Sequence, residues 1–426
     1  MQAKINNKVE NMKIGNATNI ESYYSKIVTW TLVLGPILRN YGWGRYDFSF
    51  ILTVLLAFIY LAKYGFRNRM PLMLAVYLCY CYISVFINAT SISSLIELSI
   101  IKVFFSYLMF FDVVRLSYLV KVIKSCALVF VCFFFIQEIS YYVIGQRISG
   151  MFSFLPINLG LEGSDLAEYY EYVVTSERSA SFFSEPSHFA QYILLALCIE
   201  LFYEKKSDYV KSVFYILALV LTQSGTAVLG LAVVFICYLT LSVKSKNSHN
   251  KFIAFFVIIF AVLGVDYFQS TTMGRNLMDR QDQLSSTDYG SALSGFRRIY
   301  RGYYIYAEYD ITEALTGIYN GEKVQEKIRM SSVADTFVSK DDQYFNMVHN
   351  ILIRTGLIGA FICVLLLLKL WKNNSFVGHS ILAVYVSLCF IEALFFKELT
   401  ALYLVIIYKM LLDNSKRANN KVLHYV

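Results

Sequence analysis

Residues 225–243 read GTAVLGLAVVFICYLTLSV, nineteen positions without a charged side chain. At 1.5 Å per residue such a helix covers about 28 Å, close to the roughly 30 Å of hydrocarbon in a bilayer. The run gives way at once to Lys244, Lys246 and Lys251. Outward from it, comparable apolar blocks lie near 26–39, 48–64, 71–88, 95–112, 122–144, 186–203 and 210–222 on the N-terminal side. On the other side they lie near 252–268, 347–369, 378–396 and 398–413. The pattern predicts an all-α polytopic membrane protein with about 12 transmembrane helices, a single membrane domain over residues 1–426.

Composition agrees. Hydrophobic residues make up 57% of the chain and charged ones only 16%, where a soluble domain carries nearer a quarter. Four prolines leave most helices uninterrupted. The eight cysteines all fall inside apolar blocks without metal-ligand spacing, so they read as small buried hydrophobes with no disulfide or zinc role. The segment around Lys4, Lys8 and Lys13 lacks the shape of a signal peptide.

The net charge of +8 is explained by where the lysines lie and gives no nucleic-acid signature. Basic loops recur at every second connection: Lys63, Arg67 and Arg69; Arg115, Lys121 and Lys124; Lys205, Lys206 and Lys211; Lys244, Lys246 and Lys251; Lys369 and Lys372; Lys416, Arg417 and Lys421. By the positive-inside rule these face the cytoplasm, as do tails of about 1–25 and 414–426. Two opposite loops are long, about 145–185 and 269–346. Their aromatic content predicts partial folding against the membrane surface. Their cations are mainly arginine: Arg147 and Arg178 in the first, and Arg275, Arg280, Arg297, Arg298, Arg301 and Arg329 in the second. Guanidinium groups make bidentate contacts with phosphate and carboxylate, so this face reads as built to hold an anion. The bland alternative pairs each arginine with a local acid. Arg39 and Arg45 add cations to the short first outer loop. Glu97 and Lys102 fall within the fourth span, where snorkelling or pairing with a neighbouring helix accounts for them.

Residues 177–190 are the sharpest segment: ERSASFFSEPSHFA. Proline costs little in the first turn of a helix, so Glu185-Pro186 marks a helix start, with Ser184 or Glu185 as cap. Free N–H groups and the helix dipole favour an anion there, close to Arg178 and to His188 in the first turn. His188 also reads as a buried histidine bonded to backbone.

This segment resembles the R-x-x-G-x-F-x-E-P-S-x-x-A pattern of Wzy-type polysaccharide polymerases of the O-antigen and capsule pathways. Arg178, Phe183, Glu185, Pro186, Ser187 and Ala190 match, with Ser181 at the usual glycine. Residues 221–226, LTQSGT, fit the L-T-x-S-x-x motif of the same family, although Ser224-Gly225 also reads as a plain inter-helix turn. His349-Asn350 followed by Gly356 and Gly359 resembles its late H-N-x-x-x-x-x-G-x-x-G helix start. The stretch from Ser294 through Arg297, Arg298 and Ile299 to Gly317 is similar to its second-loop arginine region. The two late glycines also read as close helix packing.

The resemblance implies a multi-helix membrane (GT-C class) glycosyltransferase. It would act outside the cytoplasmic (inner) membrane on undecaprenyl-diphosphate-linked oligosaccharides, possess no cofactor and work beside a chain-length regulator. Arg178 and one of Arg297 or Arg298 would hold the diphosphate, and His349 or Glu185 would take the acceptor proton. Arg301, Ser187, His188, Arg39 and Arg147 are further substrate-binding candidates. No D-x-D triplet occurs in either outer loop, and no metal site is expected. The rival readings are an O-antigen ligase, which shares the architecture and the late histidine, a flippase or secondary transporter, and a membrane protein whose loops only bind glycan. A transporter built from repeats would show related halves, which the unmatched loops after spans five and nine do not suggest.

Overall fold

The computed structural model describes residues 23–43, 46–65, 72–87, 113–158, 178–203, 208–244, 299–331 and 345–423, with scattered positions between 92 and 99. The expected span 252–268, nearly all of 95–112, both long-loop interiors, and Arg45, Glu97, Lys102, Arg297 and Arg298 lie outside the described residues.

The described chain is almost wholly helical. Helix α1 covers 23–38, and the hairpin β1 (Gly42–Trp43) and β2 (Tyr46–Asp47) leads to α2, Phe48–Tyr64. Asp47 caps α2 by accepting from the Phe50 amide at 2.7 Å. Helices α3 (Leu72–Ile87), α4 (Leu116–Ile144), α5 (Pro186–Phe202), α6 (Tyr209–Leu221) and α7 (Gly225–Lys244) follow. Three short helices, α8 (Arg301–Ala307), α9 (Ile311–Thr316) and α10 (Gly321–Met330), precede α11 (Met347–Trp371), α12 (Phe376–Cys389) and α13 (Glu398–Leu423).

Among the described residues, three helices are long and apolar enough to cross a bilayer unaided, over Leu116–Ile144, Gly225–Ser242 and Met347–Trp371, and five shorter apolar helices accompany them. Large apolar side chains stand exposed on their flanks, among them Phe58, Val129, Ile236, Phe361 and Leu368. Contiguous apolar surface of this kind suits lipid and not water, so this is a membrane protein.

Helix α5 is the hub. From Phe189 to Ile199 it is buried on every side, and it packs against α4, α6, α7, α12 and α13. A helix apolar all round belongs at the centre of a bundle. It runs antiparallel to α4. Lys124 meets the fully buried Glu200 at 2.9 Å at one end, Phe130 lies edge-on to Tyr192, Phe134 stacks on Phe189, and Gln137 meets the Ser181 backbone at the other end.

Two elements differ from the apolar pattern. The predicted span 378–396 is helical only to Cys389, and residues 390–397 are irregular. The freed end is held by α11: Asn346 Nδ2 donates to the Phe390 carbonyl at 2.6 Å and the Met347 amide to the Glu392 carbonyl at 2.8 Å. Helix α11 is itself broken at Gly356 (φ 61°, ψ −169°). The turn after α9 inserts at the break, with the Ile318 amide donating to the Ile353 carbonyl at 2.7 Å. Tyr80 donates to the Thr355 carbonyl at 3.1 Å and Ser84 to that of Thr316 at 2.7 Å. Hydroxyls of α3 thus satisfy backbone oxygens that no ladder reaches, as irregular backbone at membrane depth requires.

The described end of the second long loop is folded. Ile305, Tyr309, Ile318, Val324 and Ile328 form a small core against Phe345 and Ile353.

Candidate functional site

The segment before α5 is held from three sides. Ser181 takes φ 55°, a left-handed conformation that favours glycine, at the position where the polymerase motif carries one. Its amide donates to Gln137 Oε1 at 2.8 Å and its hydroxyl to the Phe130 carbonyl at 2.8 Å, which offset the strain. Gly150 crosses so closely that an added Cβ would lie 1.8 Å from the Ser181 oxygen. Asn40, just past α1, reaches the Phe182 carbonyl at 3.4 Å, and Phe182 stacks on Phe133 at 4.3 Å between ring centroids.

Glu185 occupies the N-cap position of α5, yet its side chain makes no capping bond and stands exposed. Its carboxylate instead accepts from Ser187 Oγ at 3.0 Å. Ser184 Oγ lies 3.3 Å from His188 Nδ1. Arg178 is half-buried at the start of the segment. Arg147 is 5% exposed and its Nε donates to Ser179 Oγ at 2.9 Å. It also pairs with Glu138 at 3.4 Å and lies 3.8 Å from the Tyr141 ring centroid. In this arrangement Arg147 ties the motif to α4.

The second grouping surrounds His349, fully buried at the start of α11. Asn346 caps the helix by accepting from the His349 amide at 2.8 Å. His349 Nε2 lies between the Ile299 carbonyl at 3.2 Å and Asn346 Nδ2 at 3.4 Å. Nδ1 is buried and without a hydrogen-bond partner among the described residues. Tyr303 packs edge-on to the imidazole at 4.5 Å, and Arg301, 2% exposed, lies 5.5 Å from the centre of the Phe345 ring. A Cβ on Gly302 would collide with the imidazole ring.

The third grouping joins distant chain segments. Arg39 meets Glu398 at 3.9 Å, and Lys397, Asp47 and Arg354 share their field. Burial and the Glu398 carboxylate push Asp47 up to about 6. The Arg39 guanidinium, then burial, bring Lys397 down to about 8.

These groupings occupy one pole. Asn40 links the third to the motif, and Phe390 and Glu392 link α12 to the helix of His349. Glu392, 3% exposed, also accepts from Thr226 Oγ1 in the LTQSGT turn. That turn is tight, with Gln223 at φ 48° and the Ser224 amide donating to Thr222 Oγ1 at 3.3 Å. Gly359 packs on the Tyr80 ring of α3, in keeping with close helix contact.

Comparison of the chain with protein-family models and with curated proteins found no match.

Sequence reasoning passed over Gly302, Asn346, Glu392 and Lys397. Glu392 carried one available signal, a carboxylate within an apolar stretch. For Lys397-Glu398 the available signal was a charged pair between two spans.

Proposed function

We propose that this chain is a polysaccharide polymerase of the Wzy type, a membrane glycosyltransferase that joins undecaprenyl-diphosphate-linked repeat units outside the bacterial cytoplasmic membrane. The observation that carries this reading is the Arg178–Ala190 motif together with the left-handed backbone of Ser181, the position at which the pattern calls for glycine. The recurrence of basic loops supports twelve spans with both termini cytoplasmic, which puts the motif pole outside.

In this mechanism a sugar hydroxyl of the incoming repeat attacks the anomeric carbon of the growing glycan. The new C–O bond forms as the bond to the lipid diphosphate breaks, without a metal. Arg178, with Arg297 or Arg298, takes the charge that develops on the leaving diphosphate. The hydroxyl proton passes to His349 or to Glu185, the two candidate bases. Each charged hydrogen bond to the diphosphate contributes about 1.5–3 kcal/mol, so loss of one arginine slows transfer roughly 10- to 150-fold.

The test is a deletion strain complemented with wild type, Arg178→Ala or Arg298→Ala, with surface glycan resolved on a gel. A ladder with wild type and a single capped repeat with each variant, at equal protein levels, is the expected result. A full ladder in every strain would overturn the proposal. Bare core with no repeat in the deletion strain would move the assignment to a ligase or flippase.

A further inference from the structure

Joining two lipid-linked repeats requires two polyprenyl diphosphates to be held at once, whereas the arginines assigned above account for the departing one. A second cationic cluster lies at the same pole. Lys397 is half-buried, and among the described residues no carboxylate comes within ion-pair distance of it. Arg39 and Arg354 bring two further cations into its field, opposed by Glu398 and Asp47. The residue before it, Phe396, is a bulky side chain held at φ 55°. Left-handed backbone at such a residue is strained and collects at binding sites.

Directly below runs an apolar channel. A cavity of about 280 Å³ between α3, α11, α12 and α13 is lined by Phe395 and Phe396 at its upper end and is almost free of polar surface. A second, of about 680 Å³, reaches Trp371 along the seam of α11 and α12. The two share Val364, Leu367, Val386 and Phe390, and their lining on α11 runs from Met347 to Trp371. Val364 and Phe390 are each about half exposed, which opens the channel sideways to the surrounding lipid.

We infer that this channel seats the polyprenyl chain of the second, acceptor lipid, with Lys397, Arg39 and Arg354 holding its diphosphate. The inference rests on the polymerase reading for the identity of the lipid. The channel's length, apolar lining and lateral opening suit a long hydrocarbon chain. The cations at one end suit a multiply charged phosphate head. An ordinary phospholipid would place a smaller charge there.

The test counts undecaprenyl diphosphate bound to the purified full-length chain in phosphatidylcholine nanodiscs, by native mass spectrometry across a titration. Wild type binds two molecules. Lys397→Gln and the channel-filling Val386→Trp each weaken one of the two at least tenfold, and Lys397→Arg restores it. Two undiminished molecules in both Lys397→Gln and Val386→Trp would overturn the inference. So would a single molecule in wild type, or displacement by equimolar phosphatidylglycerol. Displacement by inorganic pyrophosphate would also overturn it, since the chain would then contribute nothing. The two proposals fail separately. A full surface ladder in the deletion strain removes the polymerase reading while Lys397-dependent lipid binding stands. A broken ladder with Lys397-independent binding does the reverse.

Discussion

At Lys397 and Asp47 opposite shifts arise from one neighbourhood. The guanidinium of Arg39, burial and Arg354 disfavour the lysine's charge against Glu398 and Asp47, bringing it to about 8. The unfolded chain therefore takes this proton first as pH falls, and stability drops with pH from about 10.5 to about 8. Asp47 behaves in the other sense. Its carboxyl, raised to about 6 by burial and Glu398 against the Phe50 amide, Arg39 and Lys397, is protonated in the fold before the unfolded chain, so stability drops as pH rises from about 4 to 6. A diphosphate needs the charged lysine. We expect its apparent affinity to fall about tenfold between pH 7 and 9, and the profile to flatten in Lys397→Arg, whose guanidinium stays charged. Binding that is constant across this range in wild type would contradict the assignment. Ser181 supplies a second residue-scale test. Ser181→Gly trades a strained backbone for one lost hydrogen bond, and its stability should stay within about 1 kcal/mol of wild type. Ser181→Val should cost several times more, because a β-branched side chain must adopt φ 55° without that bond. Thermal unfolding in detergent reads both.

Among the elements, the broken helix α11 is the most exposed to single changes. A Cβ at Gly356 would lie 2.4 Å from the Leu315 carbonyl, backbone against backbone. Gly356→Ala should therefore eject the α9 turn and leave residues 299–331 open to limited proteolysis, while α11 below the break stays helical. Unchanged cleavage would show that the turn does not depend on the break. The end of α12 gives a milder test. Glu392→Gln keeps an acceptor for Thr226 Oγ1 and should be tolerated, whereas Glu392→Ala strands that hydroxyl at a cost of about 1–3 kcal/mol. Both elements were half legible. Gly356 and Gly359 were visible as a spaced pair, and for Gly359 helix packing was the right expectation. Nothing in the run 347–369 announced that Gly356 would leave the helix, because the cause is residues 315–318.

Over the whole molecule, what the sequence by itself determined is local in origin: where apolar runs long enough for a helix begin and end, that Pro186 opens a helix, and that lysines cluster just past several apolar runs. Each needs only neighbouring residues and the solvent they prefer. The motif before α5 was legible for the same reason, being contiguous. Tertiary structure alone decided which helix is central, since α5 is no more apolar than α6, α7 or α12 and differs in being enclosed by five helices. It also decided that 390–397 leaves the helix, because Asn346 and Met347 offer its carbonyls donors from some 45 residues away. And it placed Arg39 beside Glu398, with Lys397 next to both, across more than 350 residues of chain. Charges that far apart carry no mark of their pairing in the sequence, because their proximity is a product of how the helices pack.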